Sequence, residues 1–245
     1  FVVAIFCAGL IGLFSGALVA YCKVAPFIVT LGVMMIARGM AEQANEGFTI
    51  SDTHLPAGFR ELNHGTLIGI PNTLALLILF YVAAHIFMAR TKYGRYIYAV
   101  GGNMEAARLS GVPVTGVLLL VYSLCGLLAG LGGCLEASRV NAATTVMGTG
   151  LELEVIAAVV VGGTSLFGGR GRVFGTLIVA FFIGVMRSGM NQLNFKDPLQ
   201  DMVLGSIIII AVLLDRARQV GLWDRIVKRS PTLSSRGDAA SGNNA

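Results

Sequence analysis

The stretch VGGTSLFGGRGRVFG, Val161 to Gly175, holds glycine pairs, a Thr-Ser and two arginines, the residue types of a loop that cradles phosphates. A P-loop reads G-x-x-x-x-G-K-[ST] after a strand and before a helix. Here Gly163-Thr-Ser-Leu-Phe-Gly168 runs on into Gly169 and Arg170, so the Lys-Ser/Thr pair that grips phosphate and magnesium is missing. The dinucleotide fingerprint G-x-G-x-x-G fails as well, because Gly169-Arg-Gly171-Arg-Val-Phe-Gly175 is one residue too long. Gly162, Gly163, Gly168, Gly169 and Gly171 therefore read as a tight hairpin turn needing positive φ and close backbone approach, with Arg170 and Arg172 at lipid headgroups.

Other residues with chemical potential are scattered. Glu152 and Glu154 stand at the edge of an apolar run, where a charge in a bilayer marks function by default. The same two carboxylates also suit the first turn of a helix starting at the interface, favoured by its dipole. If functional, they would line a substrate path together with Asn191, whose amide hydrogen-bonds polyols. His54, His64 and His85 are dispersed, and Cys7, Cys22, Cys125 and Cys134 lack metal spacing. No metal site, catalytic triad or pair of general acids is expected, so the chain does not read as an enzyme.

The elements that must carry these residues follow from composition. The chain is 55% hydrophobic and 13% charged, with a mean hydropathy of +0.77. Soluble domains carry about 25% charged residues. Apolar tracts of about 20 residues are long enough to cross the hydrocarbon, and runs such as SIIIIAVLL do not alternate as barrel strands do. The predicted fold is all-α, a polytopic transmembrane helical bundle over residues 1–215. Spans are expected at 1–22, 24–41, 73–89, 114–135, 151–165, 173–193 and 199–214; those at 24–41 and 151–165 are weak. The 32 glycines suit close helix approach in lipid. Phe1 lies inside an apolar tract with neither a Met nor a charged region before it, from which upstream helices are expected. Residues 216–245 read as a polar tail, disordered towards the end.

Charge gives orientation. Alternating the connections places 13 of the 18 basic residues on one side, with Lys23, Arg90–Pro113, the turn at Arg170 and Arg172, and the tail. Basic residues favour the cytoplasm. This asymmetry accounts for the net charge of +5 without invoking nucleic acid. Within 90–113, Asn103 is a good N-cap, Glu105 falls in the first turn, Gly111 suits the position after the helix and Pro113 forbids continuation. The spacing predicts a helix over Met104–Ser110. So short a helix is marginal alone and must pack, either on its own membrane domain or into a partner.

Glu105-Ala106-Ala107, followed after three residues by Gly111, resembles the EAA loop of permeases in ATP-binding-cassette importers. Together with YGRYIYAVGGNMEAARLSGVPV, VYSLCGLLAGLGG, GTGLELEVIAAVVVGGTSLFGGRGRVFGTLI and VLLD, in that order, the chain is similar to the ribose-type sugar permeases over most of residues 10–215. The resemblance implies a bacterial inner-membrane permease that passes a monosaccharide or related polyol. It implies a second permease subunit (as a homodimer or heterodimer), a periplasmic sugar-binding protein, and a cytoplasmic ATPase that binds ATP and Mg; this chain would hold no cofactor. Gly102, Asn103, Glu105, Ala106, Ala107, Arg108 and Gly111 would then couple to the ATPase. The family's early glycine-and-acid motif has no counterpart here. A branched-chain amino acid permease is the nearest rival, and GGNMEAARLSGV favours the sugar branch. An ion-coupled secondary transporter would use Glu152 and Glu154 as titrating carriers but leaves the capped helix without a purpose.

The charge argument makes a topological prediction. Single cysteines at Ser110 and Thr53, in a cysteine-free background, should react with an impermeant thiol reagent from opposite faces of the membrane. Labelling of both from one face would overturn the orientation.

Overall fold

A computed structural model describes residues 2–44, 46–51, 65–67, 70–166 and 168–219. Thr53, His54, His64 and the tail beyond 219 lie outside the described residues. Among the described residues, nine helices and four two-residue strands follow in chain order: α1 (Val2–Cys22), α2 (Pro26–Ala44), β1 (Ile50–Ser51), β2 (Thr66–Leu67), β3 (Ile70–Pro71), α3 (Asn72–Arg90), α4 (Lys92–Gly102), α5 (Met104–Leu109), α6 (Val114–Val140), β4 (Ala142–Ala143), α7 (Leu151–Val161), α8 (Val173–Gln192) and α9 (Asp197–Gln219). Of these, α1, α2, α3, α6 and α8 are long and apolar enough to cross a bilayer. In hydrocarbon every backbone N–H and C=O needs a partner within the chain, which is why these apolar tracts are helical.

The principal packing contact of residues 1–184 is α1 against α6. The two helices run antiparallel: Gly16 faces Leu119 and Tyr122, Gly12 faces Tyr122 and Gly126, and Ala8 and Ile5 face Gly130. A Cβ at Gly12 would stand 3.0 Å from Gly126 Cα and would collide with the Tyr122 carbonyl oxygen. One at Gly130 would lie 2.6 Å from the Ala8 Cβ. Lipid offers no hydrophobic drive for helices to associate, so dispersion at close range and small residues at the interface do that work. Ser15, 5% exposed within this seam, returns its hydroxyl to the Ile11 carbonyl at 3.0 Å.

Most expected spans appear with shifted ends. Pro26–Ala44 is a full-length helix begun by a proline at its first position, where no N–H is needed. The 114–135 span runs on to Val140 and stops at Asn141 in the left-handed region, φ +54°. Two expectations need correction. The 151–165 span is only the 11-residue helix α7, about 16 Å long, roughly half the hydrocarbon thickness. The chain from β4 to α7 is instead a run of turns, with Gly148 and Gly150 at φ +74° and +85°. The expected tail boundary also moves, because α9 continues past 215 to Gln219.

The connection at 42–72 is tied to the far end of α6: β1 pairs antiparallel with β4, Ile50 opposite Ala143 and Ser51 opposite Ala142. A second compact unit comprises residues 185–245, its boundary inside α8. There Gln200, 3% exposed, donates its amide to Asn191 Oδ1 at 2.6 Å and to the Phe195 carbonyl at 3.1 Å, which fixes the turn between α8 and α9.

The α1–α6 seam can be tested with paired glycine substitutions. Gly12→Val should lower the unfolding temperature of the detergent-solubilised protein, since overpacking costs about 1–3 kcal/mol. Gly133→Val, with nothing within 4 Å of its Cβ, should leave it unchanged. Equal midpoints for the two variants would dismiss the seam as the main packing contact.

Candidate functional site

Segment 90–113 is two helices, where the sequence reading expected one helix in a loop. Thr91 caps the start of α4, its hydroxyl oxygen accepting from Gly94 N at 3.2 Å and its proton going to the Phe87 carbonyl at 2.6 Å. The signal was present in the spacing: Tyr93, Tyr96, Ile97 and Val100 recur at i, i+3, i+4 and i+7, one face of a helix, opposite Lys92, Arg95 and Ala99.

Asn103 joins the two helices with no linker. Its N–H bonds to the Ala99 carbonyl at 3.1 Å and closes α4, while its own carbonyl accepts from Ala107 N at 3.0 Å and opens α5. The side chain caps α5 by accepting from Ala106 N at 2.9 Å. At the other end Gly111, φ +80°, donates to the Arg108 carbonyl and Val112 to the Ala107 carbonyl, both at 3.0 Å. These paired bonds are a Schellman motif, which needs a left-handed residue at the position glycine fills. The helix is one residue shorter than expected, Ser110 serving as its C-cap.

Helix α5 packs on its own chain by one residue. Ala107, 5% exposed, sits with Val100 of α4 and Val117 of α6, flanked by Tyr96, Ile97, Val112, Val114 and Val121. The outward face carries Met104, Glu105, Arg108 and Leu109, and Leu109 is 88% exposed. The exposed Leu109 was not singled out from the sequence, where it read as a helix former. Glu105 in the first turn and Arg108 in the last both favour the helix dipole. An open cleft of about 590 Å³ adjoins this face, lined by Lys23, Pro26 and Val19 on one side and by Met104, Glu105 and Arg108 on the other.

The glycine turn lies at the same end. Its first part repeats the Schellman geometry: Gly163, φ +91°, donates to the Val160 carbonyl at 3.0 Å and Thr164 to the Val159 carbonyl at 3.1 Å. Ser165 N then bonds to the Arg170 carbonyl at 3.0 Å, and Gly168 N to the Ser165 carbonyl at 3.2 Å. The amides of Gly163, Thr164, Ser165 and Gly168 are thus committed to the chain itself. Gly162 and Gly171 pack closely on Gly175 and Thr164, and Arg170 and Arg172 face outward. The Lys23 turn, α4–α5 and residues 162–172, grouped from charge alone, are gathered at one end.

The possible path residues fall in both units. Glu152 and Glu154 occupy the first turn of α7, Glu152 exposed and Glu154 half-buried, in residues 1–184. Asn191 is engaged with Gln200 in residues 185–245. Among the described residues no three His, Cys, Asp or Glu side chains gather as a metal site.

Residues 1–212 match the family described as "Branched-chain amino acid transport system / permease component". The chain belongs to that family. It is a multi-pass inner-membrane protein, and its ribose-type resemblance holds over most of its length. It is 42% identical over 204 residues to the Ribose import permease protein RbsC of Bacillus subtilis (strain 168), covering 83% of this chain and 63% of the relative. It is 41% identical over 216 residues to the protein of the same name from Escherichia coli (strain K12), covering 85% and 66%. The D-allose transport system permease protein AlsC of the same strain is 36% identical over 212 residues, covering 85% and 63%. The chain thus spans less than two thirds of the length of these relatives. No solved structure gives a significant match.

The caps of α5 predict a local instability on mutation. Asn103→Ala, costing about 1 kcal/mol of capping, and Gly111→Val, straining a left-handed residue by about 1–2 kcal/mol, should each speed tryptic cleavage after Arg108 about fivefold in the purified protein. Wild-type cleavage rates in both would mean that packing of Ala107 alone holds the helix.

Proposed function

We propose that this chain is the membrane-spanning permease subunit of an ATP-binding-cassette importer for a monosaccharide or related polyol. The observation that carries the reading is helix α5: capped at both ends, fastened inward by Ala107, and presenting Glu105, Arg108 and the 88% exposed Leu109 outward. A helix so short gains nothing from an exposed leucine unless a partner covers it, and Glu105 and Arg108 on the adjoining face suit the polar rim beside an apolar anchor. The partner is a cytoplasmic ATPase, which binds ATP and Mg and performs the hydrolysis. The chain itself performs no catalysis and holds no cofactor. Gly102, Asn103, Ala106, Ala107 and Gly111 shape the docked helix, while Glu105, Arg108 and Leu109 touch the partner.

The sugar class is supported by the functions for which the relatives are named, which are import of ribose, transport of D-allose and, at 37% identity, import of galactose or methyl galactoside. A periplasmic binding protein delivers the sugar, and a second permease subunit completes the pathway. Glu152, Glu154 and Asn191 are proposed to border that pathway. Arg170 and Arg172 lie at the cytoplasmic headgroups, as expected of a basic turn on that side. The family description names branched-chain amino acids, which keeps that substrate as the second reading.

The test is uptake by cells carrying the chain with its ATPase and binding protein. Labelled pentose or hexose should accumulate and labelled leucine should not; leucine uptake without sugar uptake would select the second reading. Leu109→Asp should reduce recovery of the ATPase with the permease about thirtyfold, the effect of losing an interface anchor worth about 2 kcal/mol. Glu105→Lys, which places a cation at the positive end of α5, should reduce uptake with it. Full recovery of the ATPase with Leu109→Asp would remove α5 from the interface.

A further inference from the structure

Helix α5 is held from a second direction, and the residues that do so lie in the glycine turn. Gly101 and Gly102, the last residues of α4, rest directly on Gly168 and Gly169. A Cβ at Gly101 would stand 2.9 Å from Gly169 N, and one at Gly169 would stand 2.8 Å from Gly102 Cα. One at Gly168 would collide with the Gly101 carbonyl oxygen. Close by, the Tyr98 hydroxyl donates to the Gly171 carbonyl at 3.0 Å. The end of α4 is therefore seated on the turn by backbone contact on both sides and oriented by one side-chain hydrogen bond.

The turn is equally fixed to the helices it connects. A Cβ at Gly162 would stand 2.6 Å from Thr176 N, and one at Gly175 would collide with the Gly162 carbonyl oxygen. Gly162 ends α7 and Gly175 lies in the first turn of α8. Contacts between side chains absorb small displacements by changing rotamer. Backbone against backbone has no such freedom, and close-packed interiors transmit strain. Asn103, which fixes the direction of α5, is the residue immediately after Gly102.

We propose that Gly101, Gly102, Gly168 and Gly169, with Tyr98, form a positioning joint that makes helix α5 and the start of the α7–α8 hairpin move as one piece. Displacement of α5 by a bound ATPase then reaches the membrane-crossing α8 through the glycine turn, without passing along α6. The inference rests on the reading of α5 as the ATPase contact, and it goes beyond it by naming the residues that carry the motion inward.

The test uses the assembled transporter with its ATPase and binding protein. Spin labels on cysteines at Ser110 and Leu166, with Cys7, Cys22, Cys125 and Cys134 replaced by serine, report the separation of α5 and the turn with and without ATP. In the wild type that distance should stay constant within about 2 Å, the size of a helix shift it would otherwise record. Gly101→Ala puts a methyl group into the joint at a residue whose φ is not positive. It should broaden the distance distribution and lower sugar transported per ATP hydrolysed about tenfold, with ATPase binding changed less than about twofold. Gly132→Ala, in α6 with nothing within 4 Å of its Cβ and no positive φ, should change neither the distance nor the coupling ratio. Should Gly101→Ala fail to assemble, Tyr98→Phe serves in its place, with a smaller broadening expected. A wild-type distance that changes with nucleotide, or equal uncoupling by Gly132→Ala, would overturn the joint. Retention of the ATPase by Leu109→Asp would instead overturn the docking assignment, while the distance measurement still reports on the joint itself.

Discussion

Close backbone approach through glycine is the constraint on which the rest of residues 1–184 depends. Helix α6 is held where α1 passes it backbone against backbone, Gly12 on Gly126. At the basic end α4 and α5 refer back to α6. Val117 supplies the floor for Ala107, Val121 packs beside it, and Pro113 starts α6 directly after the Schellman turn that ends α5. In a medium where burying an apolar side chain gains little over leaving it in lipid, such close approaches take the role of a hydrophobic core. This accounts for how few large apolar residues are buried among those described, and for why the buried ones are mainly Val and Ala.

The same device recurs at the basic end with a different result. Along α1 and α6 the glycines let two long helices lie side by side. At 101–102 and 168–169 they let a helix end sit on a turn, and at 162 and 175 they let a turn fold back on itself. The first arrangement supplies stability spread over several helical turns. The others fix directions at single points, where a small shift is carried onward instead of being taken up.

Much of this was legible in the sequence. The apolar tracts located α1, α2, α3, α6 and α8 because hydrocarbon leaves a long apolar segment no alternative to the helix. Asn103, Glu105, Gly111 and Pro113 defined α5 to within a residue, since cap chemistry is local. The glycines at 162–163 and 168–169 pointed to tight turns, and both pairs include residues at positive φ, although the partners of that turn were invisible. Nothing in the order of residues says that Gly168 rests on Gly101, because the contact joins segments far apart in the chain. Helix α4 was overlooked because basic residues drew attention to charge and away from the Tyr93, Tyr96, Ile97, Val100 spacing. The start of α7 was placed correctly and its end four residues too late, because Gly162 and the left-handed Gly163 close the helix after Val161. Residues 220–245 stay outside the described residues, so the polar tail read from composition has no structural counterpart here.

Asn103 serves as the last partner of one helix and the first of the next, and this leaves the chain no slack between them. An α-helix advances about 100° of rotation per residue. One residue inserted between Val100 and Ala107 would therefore turn Leu109 roughly a quarter of the way round the axis, and a second would point it towards α6. Substitution within this segment is a matter of degree, since each side chain can be traded against its neighbours. Insertion and deletion are not: the reading frame of the contact surface is set by counting residues from the glycine seam. Length variation in this part of the membrane domain should therefore be confined to connections outside this segment, such as the turns between β4 and α7.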